Sequence, residues 1–505
     1  MLLPSKLFRC FVFFTLIPLL LCSALAEAVS LEEKVVEFEY ANGLRLMVVD
    51  RPETPVVSAY ITIGVGSVHE TSETRGVAHL LEHMLFKGTK VLGTTDYASE
   101  KPLLEQIETV GSEIDRLRLN PQSDPEQIMA LSKKLQELQA DHKRFVVKDV
   151  FSKIYAENGG VGYNAFTGKD LTTYLISLPS NKLELWALIE SDRMQNAVLR
   201  EFYTERDVIR EERRRSYETN PGGLIYETLL ANAFTVHPYR DPIIGWHSDI
   251  ANLSLAETRT FLEDYYAPIN TVIALVGDVR PAMAFDLVNQ YFGSIPPGTP
   301  VPNVAANEPV QNAEKRVTVF FDAEPQLSIA FHKPTLPHKD DYVFDLIDQI
   351  LAQGRTSRFY QNLVEDLKVA TSVSAYMAPG SRYPNLFVIN AVPRYPHSAE
   401  EVEQAIYSEL EKLKDEPVAD EELLKARNRL VTDQLRYLKS NNGLARMLTS
   451  YQSMVGDWRY LVNYQNEIEK ITADDIMAAA RAYFVSKNRT VVTLIRGENN
   501  NAPKS

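Results

Sequence analysis

The two halves of this 505-residue chain repeat each other. Near the start of each half, an apolar run precedes a helix-like segment that ends at a glycine. These are AYITIGVGSVHE with AHLLEHMLFKG, and LSIAFHKPTLPH with FDLIDQILAQG, which places His79 opposite Asp345. Later, SLAETRTFLEDYYAPINTVIALVGD matches TADDIMAAARAYFVSKNRTVVTLIRG, where Ser254 and Thr472 each precede an acid by three residues. That capping-box spacing opens a helix ahead of an apolar strand. A repeat of this length predicts two similar α+β domains rather than a solenoid.

The repeat also sets the predicted domain boundaries. Residues 33–293 form the first domain and residues 313–498 the second. Between them, residues 294–312 include the Pro-rich stretch SIPPGTPVPNVAANEP, which is typical of a linker. The length of the chain agrees with this division, since one ordinary core does not grow to such a size.

The first half contains an insert that the second half lacks. The two parts of the repeat stand at offsets of 266 and 218 residues, so 48 residues are extra. In residues 98–150, apolar residues recur at alternating spacings of four and three in two runs, and Asp124 and Pro125 suit the start of the second. The pattern predicts an antiparallel helical hairpin. A solvated surface arm and a functional element fit it equally well, and the second half folds without it.

The first 26 residues differ in composition from the rest. Lys6 and Arg9 precede the apolar run FVFFTLIPLLLC, and the small-residue pattern Ala24-Leu25-Ala26 follows. We interpret residues 1–26 as a secretory signal peptide. A membrane anchor is the alternative, but the run is short and no later segment approaches a span of about 18 apolar residues. We therefore expect an exported protein, periplasmic or secreted, with no membrane anchor after cleavage.

Cysteine content and net charge limit the disulfides that the chain can form and the partners that it can bind. Both cysteines, Cys10 and Cys22, lie in the predicted signal peptide, so the processed chain can form no disulfide. The formal net charge is −14, and removal of the signal peptide takes away two basic residues and no acids. An acidic chain of this kind argues against nucleic acid as a partner.

The stretch VAHLLEHMLFKGT places His79, Glu82 and His83 along one side of an otherwise apolar helix. Because residues four apart are neighbours on a helix, the two imidazoles can reach one ion. Two neutral imidazoles suit Zn²⁺, and a nearby carboxylate that is not a ligand can accept a proton from water that the ion acidifies. A pair of ordinary, partly buried histidines is the alternative. Polar groups among apolar neighbours need partners, which favours the metal, with Glu82 as general base.

A hydrolytic zinc site also needs a third protein ligand and one open position. The segment FYTERDVIREERRR offers two acids. With successive residues about 100° apart, Glu205 and Glu212 fall beside an apolar stripe centred on Val208 and Ile209. A bound metal ion would explain why two acidic side chains face the interior of the protein. A salt bridge to an internal Arg is the alternative. We predict Glu212 as the third ligand and Glu205 as the acid that orients a ligand histidine.

These motifs resemble the pitrilysin-type (M16) zinc peptidases, which have an inverted HxxEH motif. HLLEH followed by FKGT, NAFTGKDLTTYLISLP and ERDVIREE show the resemblance, which covers nearly the whole processed chain. It implies two homologous M16-type α/β roll domains with one Zn²⁺ in the first domain. The implied ligands are His79, His83 and Glu212, with Glu82 as general base and Glu205 as the supporting acid. His83 and Glu212 are 129 residues apart, farther than in the family, and removing the hairpin nearly restores the family spacing.

The second half has no counterpart of these ligands. Asp345, Asp348 and Gln349 stand opposite the HxxEH residues, and Leu430 stands opposite Glu212. We therefore expect no zinc in the second domain, whose role is to close a chamber around the substrate.

The resemblance implies that a peptide substrate adds as a strand to the edge of a sheet. The family's edge strand corresponds to the NAFT residues: Asn164, Ala165, Phe166 and Thr167. An ordinary core strand is the alternative, and the Phe166 side chain is expected in the core.

One departure from the family concerns the second domain. Active members have an Arg and a Tyr there, seven residues apart, which hold substrate and polarise the scissile carbonyl. In this chain Val364 and Thr371 stand at those positions. In family members of this length the chamber forms between two chains. We therefore predict a heterodimer with a second M16-like chain that supplies the Arg/Tyr pair.

Together these features predict an exported zinc endopeptidase that cleaves oligopeptides or unfolded segments. The alternative is a non-catalytic scaffold or partner subunit of the same fold.

Overall fold

The apolar strands of the two halves form two separate sheets. The computed structural model describes residues 31–497, so the predicted signal peptide lies outside the described residues. The first sheet contains β1 (Val36–Glu39), β2 (Arg45–Asp50), β3 (Val56–Ile63), β4 (Val161–Thr167), β5 (Thr172–Pro179) and β6 (Thr271–Gly277). The second contains β7 (Lys315–Phe321), β8 (Gln326–Lys333), β9 (Ala370–Ala378), β10 (Asn385–Pro393) and β11 (Arg489–Arg496).

Five strands of each sheet have the same topology, and the first sheet has one further strand, β1, which pairs antiparallel with β2 at its edge. The strand order is β1-β2-β6-β3-β5-β4 in the first and β7-β11-β8-β10-β9 in the second. In each, one parallel pair (β2 with β6, β7 with β11) is followed by antiparallel pairs. The repeat in the sequence is therefore a repeat of the fold, and the α+β class with two related domains is confirmed.

Seventeen α-helices of residues 31–497 cover the sheets. Those of the first half are α1 (Leu31–Lys34), α2 (Val77–Met84), α3 (Tyr97–Arg118), α4 (Pro125–His142), α5 (Val150–Glu157), α6 (Leu183–Asn196), α7 (Phe202–Arg213), α8 (Pro221–Ala233), α9 (His247–Asn252), α10 (Leu255–Tyr265) and α11 (Pro281–Phe292). Those of the second half are α12 (Lys339–Leu351), α13 (Ala399–Asp415), α14 (Asp420–Lys439), α15 (Asn441–Val455), α16 (Tyr460–Lys470) and α17 (Ala473–Tyr483). The capping boxes expected at Ser254 and Thr472 open α10 and α17.

The insert forms two helices, α3 and α4, which pack on each other and on α7. The carboxylate of Asp115 in α3 accepts two hydrogen bonds of 2.9 Å from the buried Arg206 of α7. Glu100 accepts hydrogen bonds from the fully buried Arg200 and also pairs with His142. A charged group buried this deeply needs its partner, so the hairpin is joined to the rest of the first half and is not a solvated arm.

Each half contributes a helix to the other half's sheet. Helix α15 packs on β3 and β6 of the first sheet, where Leu444 and Leu448 are buried with Val49 and Tyr60. Helix α8 packs on β8 and β11 of the second sheet in the same way. Since apolar faces of sheets must be covered, each sheet depends on a helix that the other half supplies.

Candidate metal centre

Helix α2 is held at its start by an acid that precedes it in sequence. The Glu70 carboxylate accepts hydrogen bonds from the backbone N–H groups of Gly76 at 2.9 Å and Ala78 at 2.8 Å. Gly76 has a φ of 90°, and a Cβ there would lie 2.5 Å from the Ile244 carbonyl oxygen, so the position requires glycine. Burial raises the pKa of Glu70 to about 8, although its two backbone donors act in the opposite direction.

Three side chains from α2 and α7 converge. His79 Nε2 lies 3.3 Å from Glu212 Oε2, and His83 Nε2 lies 3.6 Å from the same oxygen. One ligand atom from each residue lies within 4.8 Å of the other two. Two imidazoles and a carboxylate are a donor set of catalytic zinc sites, so these residues could hold such an ion. Within residues 31–497, no other group of three such side chains meets this test.

Glu205 fixes the orientation of His83. Its Oε1 lies 3.0 Å from His83 Nδ1, which leaves Nε2 of that ring directed at Glu212. Lys87 binds the other carboxylate oxygen of Glu205 at 2.5 Å. Burial acts to raise the pKa of Glu205, but the hydrogen bonds from His83 and Lys87 prevail and hold it at about 2. Glu205 therefore has an internal cation, a lysine rather than the arginine considered from the sequence, in addition to its histidine.

Glu82 lies beside the three converging groups and has no hydrogen-bond partner among residues 31–497. Its side chain is 12% exposed, and its Oε2 lies 3.9 Å from His79 Nδ1. That oxygen is buried and accepts no hydrogen bond from the part of the chain that the structure describes. A buried carboxylate oxygen without a donor is costly, so the structure leaves it available for a group that is not part of the chain.

The predicted substrate strand is an edge of the first sheet. Residues 164–167 of β4 pair with β5 on one side, and no strand of residues 31–497 pairs on the other. Helix α2 packs beside this strand. Ala165 is buried, whereas Phe166 is half-buried beneath the guanidinium of Arg446, 5.0 Å from the ring centroid. The expectation that Phe166 lies in the core is wrong, because neighbouring strand residues face opposite sides and Ala165 takes the core side.

The second half places its corresponding residues in other contacts. Asp345 accepts a hydrogen bond of 2.8 Å from the Tyr464 hydroxyl, and Asp348 accepts one from Gln353. Val364 is buried, and the Thr371 hydroxyl donates to the Val392 carbonyl oxygen at 3.2 Å. Val364 has no polar side-chain group, and the Thr371 hydroxyl is bonded to the Val392 carbonyl oxygen, so neither residue supplies the guanidinium of an Arg or the phenol of a Tyr.

Some residues of the site were not identified from the sequence. Lys87 lies three residues beyond the end of α2, so helical spacing could not have placed it near Glu205. Glu70 gave no signal either, because its role depends on how the chain turns back onto the start of α2. Val208 was expected in an apolar stripe with Ile209, yet Val208 is 46% exposed while Ile209 is fully buried.

Two related α/β domains, the first with an HxxEH helix, define the M16 class of peptidase fold. Two family models agree: "Insulinase (Peptidase family M16)" matches residues 45–139, and "Peptidase M16 inactive domain" matches residues 252–430. The chain belongs to the M16 peptidase family.

Relatives with sequence or structural similarity span the whole length of the fold. "Zinc protease PqqE" of Helicobacter pylori is 26% identical over 461 residues, which cover 90% of this chain and 91% of that protein. The crystal structure of a protease from Helicobacter pylori has a TM-score of 0.77 at 25% identity and covers 91% of this chain and 99% of that one. The periplasmic protease PqqL from Escherichia coli has a TM-score of 0.67 at 18% identity, covers 92% of this chain and 48% of that one, and shows the fold alone.

Proposed function

We propose that this chain is an exported zinc endopeptidase that cleaves oligopeptides or unfolded segments. The observation that supports it most is the convergence of His79, His83 and Glu212 beside the unpartnered carboxylate of Glu82. The name of the Helicobacter pylori relative, a zinc protease, agrees with it.

The chain's own residues divide the work. His79, His83 and Glu212 would hold one Zn²⁺, and Glu205 with Lys87 keeps the His83 ring in place. When bound, the ion would act as a Lewis acid that polarises a peptide carbonyl and acidifies water. The Glu82 carboxylate accepts the proton of the attacking water and returns it to the leaving amine.

The peptide would bind at the free edge of β4. An extended peptide there forms backbone hydrogen bonds with residues 164–167, beside α2. Such binding holds a substrate through its main chain, which suits oligopeptides and unfolded segments rather than folded proteins.

Export is part of the proposal. The basic residues, apolar run and small-residue pattern of residues 1–26 support it. Among residues 31–497, no helix has the length and apolar character to cross a membrane.

Metal content and hydrolysis, measured together, test the function. We expect one zinc per chain and cleavage of a quenched peptide library. Glu82→Gln should keep the zinc and lose the cleavage, because it removes the proton acceptor and leaves both imidazoles. His83→Ala should lose the zinc as well. Near-normal turnover by Glu82→Gln would show that the proton acceptor is another group.

A second candidate function is a non-catalytic subunit of the same fold. The match to a family model described as an inactive domain and the presence of Val364 and Thr371 in place of an Arg and a Tyr support it. We propose that both observations reflect a heterodimer, in which a second M16-like chain supplies an Arg/Tyr pair. The purified chain should then bind zinc but hydrolyse peptides poorly, and a partner chain should raise turnover. Full peptide hydrolysis by the chain alone, unchanged when a partner chain is added, would rule out this heterodimer.

A further inference from the structure

A cavity of about 400 Å³ lies between the insert and the rest of the first half. We call it the hairpin cavity. Helices α3 and α4 of the insert line one side of it, and α10, the first residues of α7 and the segment before α7 line the other. None of its lining residues belongs to α2 or β4, and none is a predicted metal ligand, so it is a different site from the candidate metal centre. Its volume is that of sites that bind small molecules.

The walls of the hairpin cavity are largely apolar or aromatic. Four of the side chains that form them are buried: Ile107 of α3, Phe202 and Tyr203 of α7, and Leu255 of α10. Leu104 of α3 lines the cavity too and is half-buried. Contacts between the elements of a folded protein are normally close-packed. An apolar cavity of this size at such a contact therefore suits an apolar group of a ligand.

Most of the charged groups that line the hairpin cavity already have partners. The four basic residues are Lys90, Lys101, Lys143 and Arg259, and the three acidic residues are Glu105, Glu108 and Glu201. Arg259 is bonded to Glu108 at 3.0 and 3.1 Å, and Lys101 lies 3.5 Å from Glu105. Glu201 pairs at 3.5 Å with Lys87, which does not line the cavity. All three acids are thus offset by a cation.

Two lysines remain without an acidic partner among residues 31–497. Lys90 Nζ donates to the neutral Asn196 Oδ1 at 3.2 Å, and the Lys143 side chain, at the end of α4, has no ion pair in this part of the chain. Both lysines are exposed, and one comes from the insert while the other follows α2. Unpaired cations beside an apolar cavity favour an anion whose remaining part is apolar.

We propose that the hairpin cavity binds a small amphipathic anion. Its aliphatic or aromatic group fills the apolar part of the cavity, and a single acidic head group lies at Lys90 and Lys143. A free monocarboxylic acid and a membrane lipid share this chemistry, but a cavity of about 400 Å³ has room for one short acyl chain rather than the two chains of a phospholipid. The inference does not rest on the proposed peptidase function, because no predicted metal ligand lines the cavity.

Calorimetric titration of the purified chain with dodecanoate tests the site. We expect one dodecanoate to bind per chain. The matched probe is dodecylammonium, which has the same chain length and a positive head group. It should bind at least about tenfold more weakly, because the two lysines repel it.

Two pairs of exposed lysines make the result specific. Replacing both unpaired cations, Lys90→Gln with Lys143→Gln, should weaken dodecanoate binding about fivefold or more, since two exposed ion pairs are lost. The control is Lys133→Gln with Lys134→Gln, two exposed lysines of α4 that do not line the cavity, and it should leave the affinity unchanged.

A third variant tests the apolar part of the cavity. Leu104→Trp places a larger side chain in the space that the acyl chain needs, so dodecanoate should bind at least about tenfold more weakly. Circular dichroism of each variant shows that the fold is intact. If Leu104→Trp does not fold, the two lysine pairs still decide the outcome.

Several results would overturn the proposal. They are no binding of dodecanoate, equal affinities for the two probes, or the same loss of affinity in both lysine pairs. Dodecanoate that binds to a metal ion instead would keep its affinity in Lys90→Gln with Lys143→Gln, which would overturn the proposal too. Sedimentation with phosphatidylglycerol vesicles separates a free acid from a membrane lipid. We expect the chain to stay in the supernatant, and a chain that sediments with the vesicles but binds no dodecanoate would have a membrane-binding surface and not this site.

Discussion

At the scale of single residues, three glutamates of one helix have three different environments. Glu205 is buried between His83 and Lys87, Glu212 faces the two imidazoles, and Glu211 is paired with Arg214 and Arg215 on the exposed side. Helical spacing correctly separated Glu211 from the other two. It did not predict that arginines also lie on the buried face of α7. One of them is Arg206, whose acid partner Asp115 is far away in the sequence.

The two adjacent glutamates provide a direct test of the third ligand. Glu212→Gln should lower zinc affinity by at least the 10- to 100-fold that loss of a ligand's supporting partner costs, since a ligand itself is removed. Glu211→Gln should leave zinc affinity almost unchanged, because that side chain pairs with Arg214 and Arg215 on the exposed side of the helix. Competition with a chelator measures both. Equal losses in the two variants would contradict the assignment.

A buried acid of the second half gives a prediction for pH. Asp348 stands where the first half has Glu82, and burial raises its pKa from 3.8 to about 7, against the effects of Gln353 and Arg429. Between these pH values the folded state binds more protons than the unfolded state. The stability that the neutral carboxyl provides is therefore present below about pH 4 and is lost as pH rises to about 7.

Asp348→Asn should remove this loss. We expect the variant to become more stable than wild type as pH rises from 5 to 8, by on the order of 1 to 3 kcal/mol at pH 8. Urea unfolding at several pH values measures the difference. Asp366→Asn, at an exposed position, is the control and should show no such trend. A stability difference that does not change with pH would contradict the prediction.

At the scale of elements, the helices of the hairpin could be predicted from the sequence, but their attachment to the rest of the first half could not. The two helices and their approximate limits follow from periodicity and from the N-cap at Asp124. The second half folds without an insert, which suggested that the hairpin is dispensable. No pattern in the sequence indicated that the buried Arg200, two residues before α7, depends on Glu100 of the insert, because the two residues are 100 positions apart.

Glu100 tests this dependence. Glu100→Gln leaves the fully buried Arg200 guanidinium without its counter-charge, so the free energy of unfolding should fall by about 3 to 5 kcal/mol. Glu105→Gln, in the same helix but with its side chain 62% exposed, should change it by less than about 0.5 kcal/mol. Chemical denaturation followed by circular dichroism compares them. Equal, small effects would show that the insert is only loosely attached.

At the scale of the whole molecule, the exchange of helices between halves joins the metal centre to the second domain. Helix α7, which bears Glu212, continues through a π-helical turn, Arg214–Glu218, towards α8. Helix α8 then packs on the second sheet. Asp170 adds a direct link, since its carboxylate accepts hydrogen bonds from the backbone N–H groups of Ser381 and Arg382. The sequence repeat predicts two domains, but not that each completes the other.

This exchange predicts that neither half is stable without the other. Leu448 belongs to the second half yet is fully buried on the first sheet, so Leu448→Ala should destabilise the protein by about 2 to 5 kcal/mol. Leu435→Ala, at a position 49% exposed, is the control and should have little effect.

If the chain is divided within residues 294–312, each fragment expressed alone should aggregate, because one apolar sheet face is left uncovered. The two fragments expressed together should form one soluble complex that elutes at the size of the intact chain. Soluble fragments that each unfold cooperatively would show that the two halves are independent.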